Sequence, residues 1–268
     1  MSDARPIGVY DSGVGGLTVV KQLEENLPEE HIIYVGDTAK APYGEKTAEQ
    51  IRQYSREIIT FLLEFDVKLV LAACNTSSAL ALPEIQEEFP VPVVGVIEPG
   101  VRAALRHHRK GPIALWATEA TVASGVYSQK LKAANPGVET VAVPCPKLVP
   151  MIESGRLEEP NLTQVLEEYL EPVRQAQAEI LILGCTHYPF LAPRIQALAP
   201  ELTLIDPAIE TVGEVRRRLE ETDGLSPARG RGSEYYVSGD PGHFAARSQV
   251  LAGKVLQPRQ WNRPRECD

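Results

Sequence analysis

The chain has 268 residues, 43% of them hydrophobic and 24% charged, with a net charge of −9. That length holds one large domain or two of ordinary size, and the composition is that of a globular protein. The acidic balance argues against a nucleic-acid partner, whose binders carry basic faces, and the apolar runs fall far short of the roughly 20 residues that span a membrane.

Strand and helix patterns alternate from end to end. A strand at 6–10 precedes a helix at 17–27, and a strand at 31–36 precedes a loop from Asp37 to Gly44. Thr47-Ala48-Glu49-Gln50 has the form of a capping box. It opens a helix whose apolar positions Ile51, Tyr54, Ile58, Phe61, Leu62 and Phe65 keep helical spacing. A strand at 68–73, a helix at 78–88, a strand at 92–97 and a helix at 98–108 follow. The pattern then restarts with strand 113–117, helix 120–134, strand 138–143 and a helix near 149–154. Helix 161–177, strand 179–184, helix 190–199, strand 202–205 and helix 209–221 come next. A looser stretch at 222–233 leads to strand 235–238 and helix 241–252. Such alternation predicts parallel sheets with helices on both faces.

The second half repeats the first. Ile7-Gly8-Val9-Tyr10-Asp11-Ser12 matches Ile113-Ala114-Leu115-Trp116-Ala117-Thr118, Ala81-Leu82-Pro83-Glu84-Ile85-Gln86 matches Leu191-Ala192-Pro193-Arg194-Ile195-Gln196, and Val96-Ile97-Glu98-Pro99 matches Leu204-Ile205-Asp206-Pro207. Any α/β protein repeats strand, turn and helix, but ordered matches favour true duplication. The fold expected is α/β: two similar doubly wound parallel-sheet domains related by internal duplication, with the active site in the cleft between them. Residues 1–98 with 208–256 would form the first domain and 99–207 the second. Residues 257–268 lack periodicity and read as a flexible tail.

Two of the four cysteines hold equivalent places in this repeat. Cys74 ends the apolar run Leu69-Val70-Leu71-Ala72-Ala73, and Cys185 ends Ile180-Leu181-Ile182-Leu183-Gly184. Ligands of α/β sheets bind outside the carboxyl ends of the strands, so each domain can offer one thiol to a shared cleft. Cys145 lies in Pro144-Cys145-Pro146 and reads as a buried or loop thiol, and Cys267 as incidental. No CxxC occurs, and no basic segment followed by an apolar one opens the sequence. The thiols therefore read as free and the chain as cytoplasmic.

The loops between elements carry further candidates. Asp11-Ser12-Gly13-Val14-Gly15-Gly16 fails the dinucleotide fingerprint, because Thr18 stands where its last glycine belongs and no acidic residue lies at the expected place beyond. Its glycines fit tight turning and close approach to a small ligand. Asp11 suits a functional carboxylate and a helix cap equally. Pro42-Tyr43-Gly44 reads as a turn. Asn75-Thr76-Ser77-Ser78 and Thr186-His187 offer hydroxyls, an amide and unpaired N–H groups at helix starts, which suit a carboxylate; for Ser77 and Ser78 the capping reading is preferred. His187 beside Cys185 fits a nucleophile's base or half of a metal site, but no second Cys/His cluster has zinc spacing. His31, His107, His108 and His243 have no motif around them and read as surface groups.

Together these motifs, from Asp11-Ser12-Gly13-Val14-Gly15-Gly16-Leu17-Thr18 through Gly36-Asp37-Thr38, Pro42-Tyr43-Gly44 and Ala73-Cys74-Asn75-Thr76 to Gly184-Cys185-Thr186-His187-Tyr188-Pro189, resemble the cofactor-independent aspartate/glutamate racemase superfamily, and within it the glutamate racemases. Lys40 stands where that family commonly has arginine. The resemblance implies interconversion of L- and D-glutamate for peptidoglycan synthesis, without cofactor or metal, by two cysteines: Cys74 acting on D-glutamate and Cys185 on L-glutamate. It implies Asp11 beside Cys74 and His187 beside Cys185 as catalytic partners. Substrate contacts would come from Asp11, Ser12, Pro42, Tyr43, Gly44, Asn75, Thr76, Thr186 and His187, and Asp37 and Glu153 would have supporting roles. It also implies a homodimer. The alternatives are an aspartate racemase or other member of the superfamily, and a noncatalytic protein that binds acidic amino acids and needs neither thiol.

Overall fold

Runs such as Ile7–Asp11 and Ile180–Gly184 are buried at every residue, as strands covered on both faces of a sheet must be. The computed structural model describes residues 2–155, 160–228 and 231–262. In chain order its elements are β1 (Ile7–Asp11), α1 (Leu17–Asn26), β2 (Ile32–Gly36), α2 (Ala48–Leu63), β3 (Leu69–Ala72), α3 (Asn75–Leu80), α4 (Leu82–Ile85), β4 (Val93–Gly95) and α5 (Ile97–His107). There follow β5 (Ile113–Ala117), α6 (Glu119–Ser124), α7 (Val126–Ala134), β6 (Thr140–Pro144), α8 (Leu148–Glu153), α9 (Pro160–Gln175), β7 (Ile180–Gly184), α10 (Ala192–Leu198) and β8 (Thr203–Ile205). The last are α11 (Pro207–Glu221), β9 (Ser233–Val237), α12 (Pro241–Ala252) and β10 (Arg259–Gln260).

The strands form two parallel sheets, ordered β10-β9-β2-β1-β3-β4 and β6-β5-β7-β8. The order β2-β1-β3-β4 is repeated as β6-β5-β7-β8, as a duplicated chain requires. Registers repeat as well: Ile7 lies beside Ile32 and Leu69, and Ile113 beside Thr140 and Ile180. Successive side chains of each central strand enter different cores. Val9 joins one and Tyr10 the other, and in the second sheet Leu115 and Trp116 part in the same way. Helices therefore cover both faces of each sheet, in the doubly wound manner expected.

In this strand order the chain turns one way from β1 to β2 and the other way to β3. The connections leaving adjacent strands then pass to opposite faces at the carboxyl edge, opening a crevice where ligands bind. The crevice in the first sheet lies at the ends of β1 and β3, and in the second at the ends of β5 and β7. Cys74 stands two residues past the end of β3, and Cys185 directly after β7.

Several local readings are corrected. The helix expected at 78–88 begins at Asn75 and breaks near Ala81, because Pro83 has no N–H with which to continue it. Ser78 is therefore inside α3 rather than capping it; its hydroxyl joins the Ala72 carbonyl to the Val96 N–H. The helix expected at 120–134 divides at Gly125, whose φ of 66° is left-handed. The expected tail is ordered at its start: Arg259–Gln260 pairs with β9, and Trp261 is buried and stacks on Phe61 with ring centroids 5.2 Å apart. Apolar burial explains that order, and Cys267 lies outside the described residues. His31 is half-buried, 3.3 Å from Glu234 Oε1, rather than a free surface group. Among the described residues no helix is long and apolar enough to cross a membrane.

Candidate active site

Cys74 is the N-cap residue of α3, so the sulfur stands where the helix begins and the N–H groups of Asn75 and Thr76 lack partners within the helix. Cys185 occupies the matching place after β7, followed by a 3-10 turn at Tyr188–Leu191. Both thiols line one small, tight cavity. They are only 5% and 7% exposed, so each stands within a nearly closed wall.

The first unit contributes Ser12, Pro42, Tyr43, Gly44, Asn75 and Thr76 to the same walls, and the second contributes Glu153, Thr186 and His187. Expected residues from four separate motifs, with Glu153, thus meet in one place. The Cys74 thiol lies 3.9 Å from Ser12 Oγ. On the other wall, Cys185 Sγ is 3.8 Å from His187 Nδ1, and His187 Nε2 is 2.9 Å from Glu153 Oε1.

Two expected site residues stand behind the walls. Asp11 is fully buried; its Oδ2 accepts from the N–H groups of Gly13 and Gly16 at 3.0 and 3.1 Å, and its Oδ1 accepts from Thr186 Oγ1 at 3.2 Å. It therefore shapes the first loop and touches the cavity through Thr186. Asp37 accepts from Tyr43 Oη at 2.5 Å and from Ser238 Oγ at 2.6 Å, and so holds the tyrosine that does line the cavity.

The glycines of the first loop have a steric reason. A Cβ on Gly15 would lie 2.4 Å from Thr186 Oγ1 and 2.5 Å from His187 Nδ1, and one on Gly16 would lie 2.5 Å from the Asp11 Cβ. The loop is bare so that the Cys185 loop can close on it. Thr18 Oγ1 adds a tie across the cleft, lying 3.2 Å from the Thr186 carbonyl.

Electrostatically the two thiols differ. Burial, with the Asp11 carboxylate beside it, pushes Cys74 up to about 12, while Ser77 opposes this in part. Burial likewise raises Asp11, against the pull of His187 and the bonds from Gly13, Gly16 and Thr186. For His187, burial favours the neutral ring, but Cys185 and Glu153 outweigh it and lift the ring to about 10. Glu153 is lowered: burial acts upward, and the His187 bond and charge prevail. One wall thus holds a protonated thiol near a carboxyl, and the other a thiol beside a cationic ring.

Sequence reading missed Ala41, Thr118 and Val149, which also line the cavity. Thr118 Oγ1 lies 3.0 Å from Thr76 Oγ1 and 2.9 Å from Thr121 Oγ1, so three hydroxyls meet across the cleft. The signal for Thr118 was present, because it is the repeat counterpart of Ser12. Val149 and Ala41 are apolar residues in unremarkable contexts and carried none. Among the described residues, no group of three or more His, Cys, Asp or Glu side chains is arranged to hold a metal ion.

The sequence profile of the Asp/Glu/hydantoin racemase family matches residues 7–215. The chain is 43% identical over 248 residues to the glutamate racemase of Trichodesmium erythraeum, covering 92% of this chain and 91% of that protein. Its fold matches the crystal structure of glutamate racemase from Thermus thermophilus in complex with β-chloro-D-alanine, with a TM-score of 0.88, 43% identity, and coverage of 97% of this chain and 98% of that one. It also matches the glutamate racemase of Francisella tularensis in complex with D-glutamate, with a TM-score of 0.89, 35% identity and 96% of each chain covered.

Proposed function

The chain belongs to the Asp/Glu/hydantoin racemase family, and from that premise we propose that it is a glutamate racemase in which Cys74 and Cys185 are the paired acid and base. The observation that carries the reading is that two thiols from equivalent points of a repeated sheet line one small cavity. Racemisation needs a base on one face of the α-carbon and an acid on the other, and the reverse direction exchanges the roles. Two groups of one type suit that exchange.

In the L to D direction, Cys185 removes the α-proton while Cys74 delivers one to the opposite face; D to L reverses the roles. The cationic His187 ring balances negative charge on the Cys185 sulfur, with Glu153 holding its far nitrogen. Cys74, held at about 12, is protonated at neutral pH and stands ready as the acid. Asp11, raised by burial, takes up or orients charge on that side. It reaches the cavity through Thr186.

The α-proton of an amino acid is very weakly acidic, so the developing carbanion needs donors aimed at the α-carboxylate. Ser12, Asn75 and Thr76 supply hydroxyl and amide donors, the start of α3 adds backbone N–H groups, and Thr186, whose hydroxyl donates to Asp11, completes the wall. Pro42, Tyr43 and Gly44 form the adjoining wall. The proposed reaction uses no cofactor, because both proton transfers are assigned to the thiols. No arginine is among the described residues lining the cavity, so the substrate carboxylates are met by these neutral donors and by the cationic His187 ring. Glutamate is favoured over aspartate as the substrate because relatives matched at 43% identity over nine-tenths of this chain or more are glutamate racemases. Supply of D-glutamate to peptidoglycan synthesis and a homodimeric state belong to the same proposal.

Circular dichroism of the purified protein with L- and D-glutamate separately, with no cofactor added, tests it. Both signals should decay to zero. Persistence of either signal overturns the assignment, and decay with aspartate alone would make the protein an aspartate racemase.

A further inference from the structure

Asn75 is the first residue of α3 and lines the cavity. Its side chain ends in an oxygen and an NH2 group of nearly equal size, so either face fits the cavity sterically. The two faces are opposite in chemistry. The NH2 group donates to a carboxylate, whereas the oxygen would meet it lone pair to lone pair.

One contact decides between them. Tyr127, on α7 of the other unit, is fully buried, and its hydroxyl donates to Asn75 Oδ1 at 2.6 Å. A phenol that keeps its proton has a single O–H to give, and here burial raises the hydroxyl, with Asp206 and Cys185 acting in the same sense. The donor therefore stays a donor across the working range. It holds the amide oxygen away from the cavity and leaves the NH2 group as the free face.

On the reading above, in which the cavity binds glutamate, we propose that Tyr127 is a positioning residue that fixes the Asn75 amide so that Nδ2 is presented to a substrate carboxylate. The bond also runs from the second unit to a donor of the first. A binding group of one half is thus set by a helix of the other. Tyr127 does not line the cavity and touches no reacting atom.

Tyr127→Phe keeps the ring and removes one oxygen, so the fold should survive, as melting and far-ultraviolet dichroism will report. The amide is then free to turn, and KM for glutamate should rise by about 10-fold, the worth of one oriented hydrogen bond, while kcat changes less. Asn75→Ala should weaken binding by itself. In that background Tyr127→Phe should add no further loss, because the group it positions is gone. Asn75→Asp keeps the acceptor for Tyr127 but presents an oxygen to the cavity, and should raise KM at least as much as Tyr127→Phe. An unchanged KM in Tyr127→Phe, or losses that simply add in the double variant, overturns the proposal. A wild-type protein that does not racemise glutamate would overturn the functional reading itself, an outcome seen before any Tyr127 variant is made.

Discussion

His187 joins Glu153 through Nε2 at 2.9 Å, while its other ring nitrogen faces Cys185 Sγ at 3.8 Å. The imidazole therefore links a half-buried carboxylate to a buried thiol. Removing the carboxylate's charge in Glu153→Gln should lower the His187 pKa from about 10 and shift the alkaline limb of the kcat profile downward. A lost charge-assisted bond of about 1.5–3 kcal/mol predicts a fall in kcat of roughly 10- to 100-fold. Steady-state rates from pH 6 to 10 check this. An unmoved limb would mean that Glu153 does not act through His187.

The same ring makes stability depend on pH. Its folded value of about 10 exceeds the value of about 6.5 expected in the unfolded chain. Its contribution is fully present below pH 6.5 or so and is lost as pH rises through 10, since only the folded state holds the proton in between. Urea unfolding at pH 6, 8 and 10 should show wild-type stability declining, with a shallower decline in His187→Gln. Equal slopes would contradict the assignment.

The two thiols can be separated by face. L- and D-glutamate have equal free energies, so kcat/KM must be the same in both directions for every variant, and directional rates cannot apportion the roles. Hydrogen exchange can. Cys74→Ala and Cys185→Ala should each slow racemisation by about 10³-fold or more, the scale of a lost acid or base. In deuterium oxide, Cys74→Ala should still exchange the α-hydrogen of L-glutamate without inversion, through Cys185, and leave D-glutamate untouched. Cys185→Ala should do the reverse. Mass spectrometry of recovered substrate reads the result. Near-normal racemisation by either variant would end the two-thiol mechanism.

What was legible in the sequence follows from what each signal encodes. Cys74 and Cys185 were visible because a buried parallel strand is a continuous apolar run, and the polar residue that ends it marks the carboxyl edge of the sheet. The repeated strand order followed from ordered matches between the halves. Helix limits were harder: the break at Gly125 depends on a left-handed φ that glycine permits but does not compel. Asp37 was read as a supporting residue, whereas Asp11 was read as a direct substrate contact, since its place behind the cavity wall depends on tertiary packing. Tyr127 was invisible for the same reason: an apolar-face tyrosine in a helix reads as core until its hydroxyl is seen to meet Asn75.

The stretch after α12 shows how packing overrides a featureless sequence. Trp261 stacks on Phe61, whose ring also meets Tyr236 edge-on at 5.4 Å. Trp261→Ala should cost about 3–5 kcal/mol in urea unfolding, as for other buried aromatic deletions. Trp261 does not line the cavity, so kcat of the folded fraction should be unchanged. A loss below about 1 kcal/mol would show that the aromatic cluster contributes little.

Gly15 tests whether the two halves must close as tightly as they do. An added Cβ would stand 2.4 Å from Thr186 Oγ1 and 2.5 Å from His187 Nδ1, distances that real Cβ contacts essentially never show. Gly15→Ala must therefore displace the Cys185 loop. Such overpacking typically costs about 1–3 kcal/mol. The larger effect should be on turnover, because moving His187 disturbs both its Cys185 and its Glu153 contacts, and small misplacements of reacting groups can cost about 100-fold. The expected result is a modest fall in melting temperature with a fall in kcat of at least 10-fold. The reverse pattern, a large loss of stability with normal turnover of the folded fraction, would show that Gly15 serves the fold and that the closure leaves the thiol wall unaffected.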